Sequence, residues 1–279
     1  MQLKDSLQNA IQRLTTASVG SPRLNAEVLL MFTLACDRAY LYAHSDRELT
    51  PDEQSRYDQA LAHRAQGIPS QYITGHQEFW GMDFIVSPAV LVPRPETEHL
   101  LETVLPLARA ISNPKIVDVG TGSGCIALAL AKELPQAEIL ATEISPAALE
   151  IAEANAARLQ LDSRVEFHDT DLLRALPIGY FDFVVSNPPY VGQSEEDQVQ
   201  MEVRKFEPRN AVFAGPTGLE VIDRLVPAAR SALKPGGWLV FEISGSIVHG
   251  VRQLLADWHE VAISNDLQGI PRVAMARNL

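Results

Sequence analysis

The sequence has few of the features that mark secreted, membrane-bound or metal-holding proteins. Two cysteines, Cys36 and Cys125, occur among 279 residues, so we expect no disulfide framework and a reducing compartment. The seven histidines show no metal-ligand spacing, so no metal is expected. No apolar run approaches the roughly 20 residues of a membrane span, and we find no signal-peptide pattern. The sequence therefore predicts a soluble cytoplasmic protein without membrane contact.

Basic residues are also scarce. The chain has 23 Lys and Arg against 35 Asp and Glu, a net charge of −12 at pH 7. Phosphate binding needs clustered positive charge, so this balance argues against a direct nucleic-acid partner. Neither a P-loop nor a Gly-x-Ser-x-Gly nucleophile motif is present. The remaining composition, 46% apolar and 21% charged, is ordinary for a globular protein, and the length suits two domains.

A glycine-rich stretch at residues 118–124 lies between an apolar strand-like run and a strong helix former. Glycines at alternate positions allow a sharp turn and a close backbone approach to a ligand, which predicts a nucleotide-type cofactor site. Cys125 occupies the position where the dinucleotide fingerprint needs its third glycine. The G-x-G-x-G spacing, with an acidic residue two positions earlier, is similar to the S-adenosylmethionine loop of Rossmann-like methyltransferases. The predicted cofactor-binding residues here are Gly120, Thr121, Gly122, Ser123 and Gly124, with Asp118 orienting the loop and the methionyl end.

Acidic residues follow the next two predicted strands. Glu143 ends the second strand, 19 residues beyond Gly124, where a carboxylate typically accepts both ribose hydroxyls. Ser145 is a predicted N-cap for the next helix, so Glu143 is not needed as its cap. After the third strand, Asp171 is placed to accept from an adenine amino group and Leu172 to pack on the base. Asp169 is an alternative for the adenine contact.

A second motif, Asn187-Pro188-Pro189-Tyr190, follows another strand-like run and is expected at the same sheet edge. Methylating an amide or exocyclic amine is difficult because the nitrogen lone pair is delocalised. The Asn187 side-chain carbonyl and the Pro188 backbone carbonyl can each accept one N–H of such a target and stabilise its developing positive charge. The prolines hold the loop extended, and Tyr190 offers a flat face to a planar group. We therefore predict Asn187, Pro188 and Tyr190 as catalytic residues.

Three domains are predicted along the chain. Residues 1–72 show helical periodicity without strand alternation and predict a helical bundle. Residues 73–99 predict a β-hairpin linker, because two β-prone runs flank Gly81; a third such run covers 89–92. Residues 100–279 alternate strands and helices, which predicts a methyltransferase domain.

Local signals fix several details of the helical bundle. Ser21 and Thr50 each precede a proline and are predicted N-caps, and Thr50 belongs to a capping box. The residues predicted to face the core after the first of these caps are Ala26, Leu29, Leu30 and Phe32.

The fold class predicted for the larger domain is a Rossmann-like α/β sheet of seven mostly parallel strands. The last two strands follow each other without a helix, so one is expected to run antiparallel near the edge. The predicted strands lie near 115–119, 137–143, 164–168, 180–186, 237–243, 258–264 and 271–277. The predicted helices lie near 97–111, 124–133, 146–159, 217–233 and 246–256.

Several motifs together carry a resemblance to a known family. Pro93-Arg94-Pro95-Glu96-Thr97-Glu98, the glycine loop and Ser186–Tyr190 occur in this order, followed by Glu207-Pro208-Arg209 and Phe213-Ala214-Gly215. The chain resembles, over nearly its whole length, the HemK/PrmC family of protein-(glutamine-N5) methyltransferases of peptide chain release factors. The resemblance is specific: Asn-Pro-Pro-Tyr also occurs in DNA adenine methyltransferases, but Pro-Arg-Pro-Glu-Thr-Glu does not belong to them.

The resemblance implies S-adenosylmethionine as cofactor, held by the glycine loop, Glu143, Asp171 or Leu172, and Asn187. It implies that the glutamine of the release factor's Gly-Gly-Gln tripeptide is the substrate. The substrate-binding residues implied are Leu91, Asn187, Pro188, Pro189 and Tyr190. Many members carry Asp where this chain has Glu143; either carboxylate can hold the ribose, so a modest shift in geometry is expected. The helical domain would grip the release factor, and a monomer is expected.

Other functions stay open at this point. The same chemistry on a ribosomal-protein glutamine is a close alternative, since that sister family shares Asn-Pro-Pro-Tyr. Adenine N6 methylation of nucleic acid is disfavoured by the negative charge and the lack of a basic target-recognition segment. A cofactor-binding protein that has lost activity is disfavoured by the intact Asn187 and glycine loop.

Overall fold

The computed structural model describes residues 1–279, which form two compact units. The first comprises Met1–His76 with Gln200–Phe206, and the second comprises Gln77–Val199 with Glu207–Leu279. Nothing in the sequence pattern indicated that residues 200–206 belong with the helical unit. The helices of its continuous part are α1 (Leu3–Thr16), α2 (Pro22–Leu34), α3 (Arg38–Ala43), α4 (Pro51–Ala65) and α5 (Ser70–Thr74).

The sequence signals of the helical unit are confirmed in part. Thr50 begins α4 with the predicted capping box: its hydroxyl accepts from the Glu53 N–H at 3.2 Å, and the Glu53 carboxylate accepts from the Thr50 N–H at 2.9 Å. Ser21 occupies the N-cap position of α2, but its backbone is left-handed (φ 48°) and its side chain makes no capping bond. The prediction that Phe32 faces the core is wrong, because it is 50% exposed. Leu30 is buried, and a residue two positions later lies about 200° around the helix.

A β-hairpin is formed by β1 (His76–Phe79) and β2 (Met82–Ile85). Its two turn residues, Trp80 and Gly81, both have positive φ (52° and 66°), the geometry of a two-residue type I′ turn. Phe79 and Phe84 meet edge to face with ring centroids 6.2 Å apart and are fully buried. The hairpin therefore packs as part of the core of the second unit.

After the hairpin, the β-prone run at residues 89–92 forms a turn and irregular backbone instead of a third strand, and Pro95 begins a 3₁₀ turn (Pro95–Thr97). The following elements are α6 (Glu98–Ala108), β3 (Lys115–Val119), α7 (Cys125–Glu133), β4 (Glu138–Glu143), α8 (Pro146–Arg158), β5 (Val165–Asp169), β6 (Phe181–Ser186), β7 (Val191–Gly192), α9 (Met201–Phe206), α10 (Arg209–Val212), β8 (Phe213–Gly215), α11 (Glu220–Ala232), β9 (Leu233–Glu242), α12 (Val248–Leu254), β10 (His259–Asn265) and β11 (Pro271–Arg277).

The seven-stranded sheet has the order β10-β11-β9-β6-β3-β4-β5. The five strands β9, β6, β3, β4 and β5 run parallel to one another. Strand β11 is antiparallel to both of its neighbours, β10 and β9. This confirms the predicted Rossmann-like sheet with a reversed strand near one edge. The short pair β7 and β8, with α9 and α10, was not predicted from the sequence.

Each face of the sheet carries its own apolar core. Ile116 and Val117 are neighbours on β3, so their side chains point to opposite faces, and they belong to different clusters. One cluster joins the sheet to α6, α7 and the hairpin, and the other joins it to α11 and α12. Burial on both faces explains why the central strands β3 and β6 are mostly apolar. None of the helices is long and apolar enough to cross a bilayer.

Candidate functional site

A cavity of about 330 Å³ opens where the parallel strands β3, β4, β5 and β6 end. Ligands bind at this edge in open α/β sheets because the loops there converge and helix N-termini point to it. The predicted site residues that line the cavity are Leu91, Gly120, Thr121, Gly122, Ser123, Glu143, Asp171, Leu172, Asn187 and Pro189. The predicted residues outside its wall are Asp118, Gly124, Pro188 and Tyr190.

The glycine loop makes an open cradle on the cavity wall. Gly120 and Gly122 have φ of 71° and 56°, and no protein atom lies within 4 Å of the place where a Cβ would stand on either. The Gly120 and Thr121 amides both donate to the Thr142 carbonyl, at 2.8 and 2.9 Å, which fixes the loop to the end of β4. The third glycine has a packing role: a Cβ on Gly124 would stand 3.1 Å from Leu128 and 3.3 Å from a neighbouring alanine.

Asp118 lies buried beneath this loop. Its Oδ2 accepts from the Thr121 hydroxyl at 2.6 Å and from the Ala127 amide at 3.2 Å, which ties the loop to the first turn of α7. Its Oδ1 has no hydrogen-bond partner. Burial raises the pKa of the Asp118 carboxyl to about 7, although the two hydrogen bonds act in the opposite direction.

Glu143 contacts the backbone more extensively than the sequence indicated. One carboxylate oxygen accepts from the Gly122 amide at 3.0 Å, and the other accepts from the Ile144 and Ser145 amides at 2.9 Å each. Ser145 also caps α8 as predicted, accepting from the Ala148 amide at 3.3 Å. A carboxylate offers about four acceptor sites, so three bonds leave Glu143 limited capacity for a further donor.

The structure distinguishes between Asp171 and Asp169, the two residues predicted as alternatives for the adenine contact. Asp171 lines the cavity and forms an ion pair with Arg224 of α11, which also lines it. Asp169 is exposed and lies outside the wall. Leu172 lines the cavity with a left-handed backbone (φ 53°), a conformation that costs a non-glycine residue about 1–2 kcal/mol. Strain of this kind concentrates at functional sites.

Asn187 faces the cavity with one end of its amide already bonded. Its Nδ2 donates to the Thr97 hydroxyl at 3.1 Å, whereas its Oδ1 accepts no hydrogen bond from the protein. Pro188 is buried behind the wall. The Tyr190 ring packs against the second apolar cluster, and its hydroxyl donates to Glu242 at 2.9 Å. The structure therefore places the Tyr190 ring outside the cavity wall.

Glu242, at the end of β9, was not identified from the sequence. It is 1% exposed and also accepts from the Thr97 hydroxyl at 2.6 Å. Burial raises the pKa of the Glu242 carboxyl, while the hydroxyls of Thr97 and Tyr190 and the charge of Arg272 lower it. A glutamate ending an apolar strand was the signal that could have found it.

Other buried polar side chains were also missed. Asn155 is fully buried on α8; its Oδ1 accepts from the Ile85 amide at 2.7 Å, and its Nδ2 donates to the Ile85 and Ser123 carbonyls at 3.0 and 2.9 Å. It thereby joins the hairpin to the glycine loop. Arg94 forms an ion pair with Glu207, which also accepts from the Val92 amide at 3.2 Å. These bonds join two segments that the sequence had marked only as separate motifs.

The chemistry of the wall fits a cationic nucleoside cofactor. The glycine cradle admits a close ligand, and the Asp118 carboxyl buried beneath it favours a positive group when it is ionised. Glu143 and Asp171 supply acceptors at the ends of β4 and β5. The Cys125 thiol lines the cavity, but burial raises its pKa to about 12, so it stays protonated and unreactive near neutral pH. No group of three or more His, Cys, Asp or Glu side chains is arranged to hold a metal ion.

Family models and related proteins match this sequence along nearly its whole length. The family model of the PrmC N-terminal domain matches residues 5–75, and that of the methyltransferase small domain matches residues 96–206. The release factor glutamine methyltransferase of Koribacter versatilis is 55% identical over 278 residues, covering 99% of each chain. That of Moorella thermoacetica is 44% identical over 254 residues, covering 91% of this chain and 89% of its own.

Solved structures share the fold. A methyltransferase from Pyrococcus furiosus, 19% identical, superposes with a TM-score of 0.55 and covers 81% of this chain and 99% of its own. The 16S rRNA N2 G1207 methyltransferase of T. thermophilus, solved with AdoMet and guanosine, is 18% identical with a TM-score of 0.55. It covers 73% of this chain and 50% of its own. At these identities the likeness concerns the fold alone.

Proposed function

The chain belongs to the release factor glutamine methyltransferase family, and we propose that it methylates the side-chain amide nitrogen (N5) of the glutamine in the Gly-Gly-Gln motif of peptide chain release factors. The methyl donor is S-adenosylmethionine, which supplies an electrophilic methyl group when bound. The observation that carries the proposal is the position of Asn187. Asn187 lines the same cavity as the glycine loop, and its Oδ1 has no protein partner, so it is available as an acceptor for a target N–H beside the cofactor cradle.

Asn187 acts by fixing and polarising the target amide. Its Oδ1 accepts one N–H of the glutamine side chain, and the Pro188 backbone carbonyl accepts the other. These two acceptors hold the nitrogen and stabilise the positive charge that develops on it. Leu91 and Pro189 line the entry for the substrate side chain. No protein base is needed before transfer, because the methylated cationic amide loses its proton readily.

We propose that other residues in and beneath the cavity wall hold the cofactor. Gly120 to Gly124 carry the methionyl end, and the buried Asp118 orients the loop and that end. Glu143 faces the ribose hydroxyls, and Asp171 with Leu172 faces the adenine. Because Glu143 already accepts three backbone bonds, we propose that it shares its remaining acceptor capacity with the ribose.

Methyl transfer from tritiated S-adenosylmethionine tests the function directly. Purified release factor is offered beside its Gly-Gly-Gln→Gly-Gly-Ala variant, and label is expected on the first only. Label on both would place the modified residue elsewhere in the factor. If neither form of the release factor is labelled and ribosomal protein is, the proposed substrate is wrong and the proposed methyl transfer to a glutamine amide still holds.

Asn187→Ala tests the catalytic role separately. We expect kcat to fall about 10²–10³-fold, as when a transition-state hydrogen bond is removed, with cofactor binding by calorimetry nearly unchanged. Full activity in the variant would refute the mechanism.

For the helical unit we propose a role in gripping the release factor. Its surface exposes Leu24, Phe32 and Tyr42, each about half accessible, on α2 and α3. Replacing Phe32 with Ala is expected to raise the KM for release factor while kcat at saturation is retained. An unchanged KM for this and for Leu24→Ala would remove the exposed face of α2 from the proposal.

We also propose that the enzyme acts in the cytoplasm, where release factors operate, and as a monomer. Sedimentation of the free protein and of its mixture with release factor tests the second statement: species of one chain and of one chain with one factor are expected.

A further inference from the structure

A line of hydrogen-bonding side chains runs from Asn187 into the core of the second unit. Asn187 Nδ2 donates to the Thr97 hydroxyl at 3.1 Å, and that hydroxyl donates to Glu242 Oε2 at 2.6 Å. The other carboxylate oxygen of Glu242, Oε1, accepts from the Tyr190 hydroxyl at 2.9 Å. Thr97 and Glu242 are 2% and 1% exposed, so water does not replace these partners. The line therefore reaches from the cavity wall to a fully buried carboxylate.

Other uses of these two side chains are absent. Thr97 directly precedes α6, yet its side chain makes no capping bond to that helix. Glu242 has no cation within ion-pair distance, and its two oxygens accept only from hydroxyls. A buried carboxylate without a paired cation is costly to a fold, and here the two hydroxyls and the more distant charge of Arg272 offset that cost.

The directions of the bonds fix which end of the Asn187 amide faces the cavity. Both oxygens of Glu242 are acceptors in this line, Oε2 from the Thr97 hydroxyl and Oε1 from the Tyr190 hydroxyl. A threonine hydroxyl has one proton, and here that proton is donated to Glu242, so the Thr97 oxygen can only accept from Asn187. Asn187 must then turn its Nδ2 toward Thr97, which leaves Oδ1 for the target. With the amide reversed, N–H donors would face the N–H donors of the target, and no hydrogen bond would form.

We propose that Thr97 and Glu242 are positioning residues that hold the Asn187 amide with its Oδ1 toward the substrate, and that Tyr190 holds Glu242 in place from the other side. This inference rests on the proposed function, because the orientation matters only for a target that donates N–H groups. It gives the Pro-Arg-Pro-Glu-Thr-Glu segment a chemical role through its threonine.

The test compares Thr97→Val, which keeps the shape and removes the hydroxyl, with Thr97→Ser, which keeps the hydroxyl. In Thr97→Val we expect kcat on release factor to fall about 10- to 100-fold, the scale of a misplaced reacting group. The calorimetric Kd for S-adenosylmethionine should stay within about twofold, since the two residues that lose a partner, Asn187 and Glu242, are not among those proposed to hold the cofactor by their side chains. In Thr97→Ser, kcat is expected to stay within about threefold of the wild type.

Glu242→Gln and the double variant test whether the residues act in one line. Glutamine offers one acceptor group and one donor group in place of two acceptors, so either the Thr97 or the Tyr190 hydroxyl must accept a hydrogen bond where it now donates one. We expect a loss of kcat comparable to that in Thr97→Val. The double variant Thr97→Val/Glu242→Gln should be about as slow as the slower single variant, because both remove the same restraint. Additive losses would overturn the proposal, and so would a Thr97→Ser variant as slow as Thr97→Val.

A readout independent of activity is the Asn187 side-chain amide in ¹⁵N NMR spectra, assigned by its loss in Asn187→Ala. Its protons are expected to exchange slowly with solvent in the wild type and in Thr97→Ser, and faster in Thr97→Val. Equal exchange in all three would overturn the proposal even if Glu242→Gln failed to fold. A wild type that shows this exchange pattern but does not methylate release factor would refute the proposed substrate and leave the proposed orientation of the Asn187 amide intact.

Discussion

Asp118→Asn is expected to stabilise the free protein at high pH while it weakens cofactor binding. Burial raises the pKa of Asp118 from an ordinary value of 3.8 to about 7. The folded protein thus keeps a proton that the unfolded chain releases from about pH 4 upward, so stability falls as pH rises toward 7 and is constant above it. Asparagine has no charge to bury, and its carbonyl can keep both bonds from Thr121 and Ala127.

The size of the effect follows from the shift. Three pKa units at 1.36 kcal/mol each correspond to about 4 kcal/mol for the whole range. Between pH 5 and pH 8, the wild type is expected to lose about 2–3 kcal/mol relative to Asp118→Asn. Part of the gain is offset because the new Nδ2 takes the place of Oδ1, an atom that has no partner.

Urea unfolding of the cofactor-free protein at pH 5 and pH 8 measures this difference. Exposed Asp162→Asn is the matched control, since it removes the same charge from the surface and should follow the wild type. S-adenosylmethionine is expected to bind Asp118→Asn up to about 10-fold more weakly, because the charge beneath the glycine loop no longer attracts the cationic cofactor. If the free energy of unfolding changed with pH in the same way in the wild type and in Asp118→Asn, the assignment of a buried carboxyl with a raised pKa to this position would be refuted.

Three further variants address the supports of the cavity. Asn155→Ala is expected to destabilise the protein by about 2–4 kcal/mol in urea unfolding, because it leaves three backbone groups without partners in the core. Glu207→Ala is expected to cost about 1–3 kcal/mol, because it leaves the buried Val92 amide without its acceptor and the part-exposed Arg94 without its anion. Arg224→Ala releases Asp171 from its ion pair and is expected to change the Kd for S-adenosylmethionine by no more than about tenfold, with stability within about 1 kcal/mol.

Each of these expectations has an opposite outcome. An Asn155→Ala protein as stable as the wild type would mean that water or the backbone satisfies the freed groups. If Glu207→Gln, which can still accept one bond, were as damaging as Glu207→Ala, the charge and not the hydrogen bonding would decide the effect. Loss of cofactor binding in Arg224→Ala would make the arginine a direct ligand of the cofactor.

The fold could be read from the sequence because its signals are local. The central strands β3 and β6 are mostly apolar runs, since both faces of a parallel sheet are buried, and α7 and α8 begin at a glycine and at a serine cap. The reversed strand followed from two strands without a helix between them. The face of α2 could not be read as securely, because Phe32 is apolar, helical and yet exposed.

By itself the sequence determined the sheet, and it predicted the glycine loop and Asn187-Pro188-Pro189-Tyr190 as the cofactor and substrate sites, because these depend on residues that are close along the chain. Only the tertiary structure decided which atoms meet across it. Thr97 lies 90 residues from Asn187 and 145 residues from Glu242 along the chain, and no short pattern encodes their contact. Glutamate and threonine at a strand or helix end are common, and their role follows only when folding brings β9 and the start of α6 to the end of β6. The buried polar contacts were therefore decided by packing in three dimensions.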